Sequence, residues 1–219
     1  MAKRRKKRKR TPESPIGLDK ILVPAEEKLF MDYLASVSGN EGGVRDCLIF
    51  DLMLQTGMRV SELCNLRIKD CPGYLGGRVV RVHQGKGKKS RDVPISSRVT
   101  KNLSVYLKKH RIETLPRTIR ASDRRKPVFY YKKRPFTRDV IGYKIKQIGR
   151  LADIEKHLTP HMTRHTFATN ALLKNRISLP ELQIIMGHTK IATTERYLHC
   201  AELLSPRVGN ALDRGHWTI

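Results

Sequence analysis

One stretch of this chain, Gly73 to Ile95, alternates with the period of two that a half-buried strand requires; the runs on either side follow the 3.6-residue period of amphipathic helices. Within it, Val80 and Val82 precede a Gly-Lys-Gly turn, and Val93 and Ile95 follow it. That pattern predicts a β-hairpin with Gly85 to Lys89 near its tip. The predicted fold class is therefore α+β and mainly helical, with a small antiparallel β-sheet.

The helical runs are well punctuated. From Pro24 the segment PAEEKLFMDYLASV sets Leu29, Phe30, Tyr33 and Leu34 at helical spacing, and Gly39 to Gly43 is expected to end it. A second helix is predicted over Val44 to Thr56, with Cys47, Phe50, Met53 and Leu54 on one face and Gly57 as its stop. Ser61 to Leu66, Thr100 to His110 (with Leu103, Tyr106 and Leu107 facing inward) and Asp139 to Ala152 also read as helices, and Pro127 to Tyr131 as a short strand. Thr159 is placed to cap a helix that has Pro160 at its first position and runs to about Lys174. Ser178 and Glu181 make a capping box opening Leu179 to Met186, which Gly187 ends. A last helix, beginning near Ile191, is expected to carry Tyr197.

Composition narrows the class of partner. The 219 residues hold 45 Lys and Arg against 20 Asp and Glu, a net charge of +25. The length fits one large domain, or one with an appendage. An apolar share of 39% with 15 glycines suffices for a core and excludes wholesale disorder. The richest apolar run, Cys47 to Leu54, is interrupted by Asp51 and is far short of the roughly 18 residues that span a bilayer. Such a charge points to a polyanion, with nucleic acid ahead of an acidic membrane surface. Lys3 to Arg10 is an unbroken basic block that repels itself and is expected to stay disordered until it meets an anion. Most of the excess lies elsewhere, including Arg117 to Arg138, where nine basic residues and one acid interleave with Phe129, Tyr130, Tyr131 and Phe136. That stretch fits either nucleic-acid backbone contact or a solvated loop. Cys47, Cys64, Cys71 and Cys200 form no CxxC pair and read as reduced structural thiols, and the basic start lacks a following apolar segment. A cytoplasmic, nucleoid-associated location is expected.

His161 and Arg164, at i and i+3 near a helix N-terminus, emerge on one face and together make an anion site. Taken singly, Arg59, Lys86, His188 and Tyr197 are unremarkable: a helix-end arginine, a hairpin-tip lysine, a helix-stop histidine and an aromatic. A phosphate-binding GxxxxGK[ST] loop cannot be fitted around Gly85 to Ser90.

Taken together, the segments TGMRVSEL (Thr56 to Leu63), GKGKKSRDVPI (Gly85 to Ile95), HMTRHTFAT (His161 to Thr169), MGH (Met186 to His188) and TTERY (Thr193 to Tyr197) closely resemble, in order, the motifs of the tyrosine recombinase (phage integrase) family. The resemblance covers about residues 20 to 205 and implies the family's catalytic-domain fold. It also implies a site-specific recombinase that cleaves and rejoins double-stranded DNA through a 3′-phosphotyrosine. By this resemblance Arg59 and Arg164 hold the non-bridging phosphate oxygens, for which guanidinium forks are suited. Tyr197 is the nucleophile, with His161 as its proton acceptor. Lys86 protonates the leaving 5′-oxygen, with Lys88 and Lys89 ranked below it, and His188 donates to the phosphate. A free phenol is only about one part in a thousand ionised at neutral pH, so Tyr197 needs an acceptor and a positive field. No metal or nucleotide cofactor is called for, because the phosphotyrosine retains the energy of the broken ester. Glu62, three residues after Arg59, is expected to orient basic groups, and His165 to pack beneath its helix.

Family members usually carry a further DNA-binding domain before the catalytic one, whereas here about 20 residues precede the first predicted helix. The expected organisation is a basic arm over 1–19, a catalytic domain over 20–205 and a tail over 206–219. Leu203, Leu204, Val208 and Leu212 in and before that tail would pack on a neighbouring protomer or in cis. The resemblance further implies a homo-tetramer on paired DNA sites, forming only on DNA. Two rivals remain at this point: type IB topoisomerase-like relaxation, and a catalytically silent DNA binder.

Overall fold

A computed structural model of the protein describes residues 14–73, 75–83, 90–110, 124–131, 134–174 and 177–206. Lys86, Lys88 and Lys89, expected near the hairpin tip, lie outside these, as do Lys3 to Arg10, Val208, Leu212 and part of the Arg117 to Arg138 stretch.

Among the described residues the helices are α1 (Pro24–Ser36), α2 (Glu41–Thr56), α3 (Val60–Cys64), α4 (Ser97–His110), α5 (Arg138–Leu151), α6 (Pro160–Leu173), α7 (Leu179–Met186), α8 (Ala192–Glu195) and α9 (Leu198–Leu203). The strands are β1 (Val79–Val82), β2 (Arg91–Pro94), β3 (Tyr130–Tyr131) and β4 (Arg134–Pro135), paired as two antiparallel hairpins. The chain is thus mainly helical with small antiparallel sheets, as its periodicities predict.

The middle of the core is α2, which packs against α1, α4 and α6. The predicted face was too narrow: Leu48, Ile49, Phe50, Leu52, Met53 and Leu54 are all buried, as is Asp51, because neighbours surround the helix. Phe50 meets Phe30 edge to face, with ring centroids 5.4 Å apart, and burial of such rings stabilises by about 1.5–3 kcal/mol each. In α1 only Phe30 and Leu34 of the predicted face are fully buried, and Leu29 is exposed. The second helix also starts three residues before the predicted Val44. The Asn40 side chain caps it by accepting from the Gly43 N–H at 2.9 Å, so Gly42 and Gly43, two of the three glycines expected to separate the helices, lie inside the first turn of α2. A Cβ at Gly43 would sit 1.7 Å from the Val37 carbonyl oxygen, so glycine there permits the close turn from α1 into α2.

In the first hairpin Val80 faces Val93 and Val82 faces Arg91. Val80, Val82 and Val93 enter the core, while Arg81 and Asp92 pair on the outer face at 2.7 and 2.8 Å. The predicted strand over Pro127 to Tyr131 is shorter than expected. Only Tyr130 and Tyr131 lie in a ladder, and Pro127 makes an isolated bridge with Arg67.

The last third matches its punctuation up to Gly187. Thr159 stands at the N-cap position of α6 but its side chain makes no capping bond, the Ser178–Glu181 capping box forms, and Gly187 ends α7 with φ of 66°. The single final helix does not form. The chain makes two short helices, α8 and α9, and Tyr197 sits at the break between them. A second apolar cluster gathers there: Ile16, Ile21, Ala168, Ala171, Leu182, Met186, Tyr197 and Cys200. Among the described residues no helix is long and apolar enough to cross a membrane.

Candidate active site

The residues singled out lie in segments far apart in sequence, and three helix ends bring them together. Gly57 ends α2 at φ 59°, a conformation that L side chains avoid, and turns the chain so that Arg59 opens α3. The Gly57 carbonyl accepts a hydrogen bond from Arg164 Nη1 on α6. Arg164 Nη2 donates to the Met186 carbonyl at the end of α7 (2.7 Å) and to His188 Nε2 (3.0 Å). Arg164 is 3% exposed. Three of the five N–H donors of its guanidinium go to these partners, and the group also lies within hydrogen-bonding reach of Tyr197. Burial, then the nearby Arg59 charge, push the Arg164 pKa down to about 10, so it stays cationic at neutral pH.

His188 Nε2 faces a guanidinium that can only donate, so this nitrogen carries the lone pair and Nδ1 carries the proton, donated to Thr194 Oγ1 at 3.0 Å. Both ring nitrogens are thereby engaged, and donation to a phosphate from either requires exchanging a partner. Burial, followed by the Arg164 and Arg59 charges, pushes His188 down to about 4, which keeps it neutral.

Tyr197 is buried, 4% exposed. Its ring lies parallel to that of His188, centroids 6.4 Å apart, and its hydroxyl is 3.0 Å from His165 Nδ1. Burial raises the phenol pKa above its ordinary value, only partly offset by Arg164, Arg196 and Arg59. The expectation that His165 packs beneath its helix is therefore corrected. Residues 161 and 165 are one helical turn apart and share a face, and the second of them is the one bonded to Tyr197. His161 is exposed, its ring stacked on that of His165 at 6.3 Å. Partial desolvation against its neighbours, then the Arg164 and Arg59 charges, depress its pKa, and His165 is pushed down to about 4 by burial, then by His161 and Arg164.

The base of the site is a buried carboxylate. Glu62 accepts from the Arg59 N–H (2.8 Å) and Arg59 Nη1 (3.1 Å), and both its oxygens meet the two Nη atoms of Arg91 at 2.9 Å. Burial alone would raise the Glu62 carboxyl, but the Arg91 fork and the Arg59 N–H outweigh it and hold it below its usual range. Arg91 Nε also donates to the Ile185 carbonyl of α7 at 2.6 Å. Arg91 was missed in the sequence, although the signal was there. It lies two residues from the inward-facing Val93, so the strand period aims it at the core.

Arg59, His161, Arg164, His188 and Tyr197 thus share one site, and Lys86 lies outside the described residues. A family model described as the phage integrase family matches residues 20–203. The chain belongs to the phage integrase family. It is similar to tyrosine recombinase XerD of Staphylococcus haemolyticus, 39% identical over 162 residues that make up 73% of this chain and 52% of the relative. This integrase-family chain therefore spans about half the length of the curated relatives it matches. Among solved structures it resembles XerA recombinase (30% identity, TM-score 0.71, 94% of this chain and 68% of that one). It also shares the fold of XerH site-specific recombinase bound to palindromic difH substrate in a post-cleavage complex (22%, TM-score 0.69, 90% and 54%). The catalytic-domain fold inferred from the integrase motifs is the fold found.

Proposed function

We propose that this chain is a site-specific DNA recombinase that cleaves and rejoins DNA through a 3′-phosphotyrosine. The observation that carries the reading is the convergence of Arg59, Arg164, His188 and Tyr197 around hydrogen bonds tying the ends of α2 and α7 to α6. In this reading the Tyr197 oxygen attacks phosphorus, the bond from phosphorus to the 5′-oxygen breaks, and Arg59 and Arg164 stabilise charge on the non-bridging oxygens. The phenol proton passes to His165, whose Nδ1 is the group in contact with it. His161, exposed beside it, faces the incoming phosphate. Lys86 gives the 5′-oxygen its proton. Religation to another 5′-hydroxyl reverses each transfer.

The XerH structure with difH substrate supports DNA as the partner. We further assign residues 20–205 to one catalytic unit, the preceding basic residues to DNA grip, and the tail after it to packing on a neighbour. Four protomers would assemble on paired DNA sites and not without them, which sedimentation with and without a synthetic crossover site checks. A cytoplasmic, nucleoid-associated location fits this partner.

A suicide substrate carrying a nick tests the chemistry. The protein should become covalently attached to DNA, and Tyr197→Phe should abolish attachment while leaving binding intact. Attachment by the variant would overturn the assignment of the nucleophile, and relaxation of a plasmid without exchanged products would replace recombination by topoisomerase-like activity.

A further inference from the structure

Residues 14–22 reach α1 by running along the segment that carries Tyr197. The Ile16 N–H donates to the Arg196 carbonyl at 3.2 Å, and Arg196 Nε donates back to the Ser14 carbonyl at 2.7 Å. The Cys200 thiol donates to the Ile16 carbonyl at 3.0 Å. These contacts bracket Tyr197, one residue before it and three after. Ile16 and Ile21, 5% and 1% exposed, lie in the same apolar cluster as the tyrosine ring. The far end of the strap is fastened too. The Leu22 N–H donates to Thr166 Oγ1 at 2.8 Å, and Lys156 Nζ donates to the Leu18 and Ile21 carbonyls at 3.0 and 3.3 Å while meeting Glu26 at 2.7 Å.

The segment being held has little stability of its own. Helices α8 and α9 span four and six residues, and isolated helices shorter than about 12 residues are marginal in water, so tertiary contacts must decide where Tyr197 sits. Its hydroxyl meets His165 Nδ1 and the Arg164 guanidinium, and the strap holds the Arg196 carbonyl on one side of it and the Cys200 thiol on the other.

We propose that the strap Ser14 to Ile21 is a positioning element for the nucleophile: through Arg196 and Cys200 it fixes the backbone on both sides of Tyr197. This rests on Tyr197 being the nucleophile. In-line attack tolerates little misplacement, with an error of about 1 Å costing on the order of 10²-fold in rate. Loosening the strap should therefore slow cleavage without weakening DNA binding, because no strap residue is assigned to the phosphate. The basic run Lys3 to Arg10 ends four residues before Ser14, so the strap also joins the DNA-gripping end of the chain to the reacting tyrosine.

The experiment uses the full chain and the nicked substrate at saturating DNA. The wild-type covalent complex, absent in Tyr197→Phe, first establishes the nucleophile; if it never forms, that reading fails independently of the strap. Ile16→Asp should then lower the single-turnover cleavage rate by about tenfold or more with DNA affinity unchanged, and Ile16→Val should restore it. A second readout needs no activity. Cys200 is buried under the strap, and its maleimide labelling, followed by peptide mass spectrometry, should accelerate in Ile16→Asp while that of core-buried Cys71 does not. If Cys71 labelling also rises, the milder Ile16→Ser replaces the aspartate in the same comparison. A cleavage rate unchanged or increased once Cys200 has become reactive overturns the proposal. So does a fall in rate that only tracks DNA affinity, or Cys200 labelling that stays at the wild-type rate.

Discussion

Arg91 and Glu62 meet fork to fork, two guanidinium nitrogens each 2.9 Å from a different carboxylate oxygen, with side chains 8% and 5% exposed. Removing Arg91 leaves the buried Glu62 carboxylate with Arg59 alone, and breaking a buried pair costs up to about 3 kcal/mol. Arg91→Ala should lower the urea-unfolding stability by that order, and Arg91→Lys, a point charge without the fork, should recover only part of it. A loss below about 1 kcal/mol, the range of exposed pairs, would show that the network is not needed.

Gly57→Ala should destabilise for two reasons that add. Its φ of 59° is strained for any residue with a Cβ, and that Cβ would lie 2.4 Å from Phe167 Cδ1 and 2.8 Å from Met186 Sδ. About 2–4 kcal/mol is expected from backbone strain and overpacking together, measured by denaturant titration. Cleavage should fall as well, since the same residue's carbonyl holds Arg164.

His165→Leu removes the group in contact with the Tyr197 hydroxyl. The single-turnover cleavage rate should fall by about 10²-fold at unchanged DNA affinity, and His165→Asn, which can accept at a similar position, should lose less. Equal rates for His165→Leu and wild type would return the acceptor role to His161.

Acid should unfold the protein earlier than its carboxylates alone would dictate. His165 and His188 are both held near a pKa of about 4, against the ordinary value of about 6.5 retained when unfolded. Between those values the unfolded chain binds protons that the folded chain refuses, so their contribution is complete above pH 6.5 and is lost as pH falls towards 4. Glu62, also depressed, adds a further loss below its ordinary range. Urea midpoints at pH 7.5, 5.5 and 4.5 should decline in that order, and His165→Gln with His188→Gln should flatten the decline above pH 4.5.

Grip by the basic run can be measured through salt. Each phosphate neutralised contributes about 0.9 to the slope of log affinity against log salt, so a chain starting at Thr11 should show a slope shallower by several units. Identical slopes would assign the grip to the rest of the molecule.

Nearly every helix and the hairpin are legible in the sequence because apolar spacing and caps such as Ser178–Glu181 act locally. What local pattern hides is tertiary. The early start of α2 depends on Asn40 and on the close approach at Gly43 to Val37, and two glycines read alone look like a break. The split at Tyr197 lies against a strap whose contacts come from more than 180 residues away in sequence. Within the site, motif order brought five positions to one place, but the choice between His161 and His165 turned on which ring reached the hydroxyl. That is a matter of distance no spacing rule resolves.

Arg164 joins the carbonyls of Gly57 and Met186 while facing the reaction centre. If the chain cuts DNA as proposed, a descendant that lost that activity would still need the arginine to keep two helix ends together, so its retention says little about whether a copy is active. The Tyr197 hydroxyl ties no helix ends together; it meets His165 and the Arg164 guanidinium beside it. Phenylalanine there would keep the buried ring and remove only the oxygen, which makes that position, rather than the arginine, the one by which silent copies should be told from working ones.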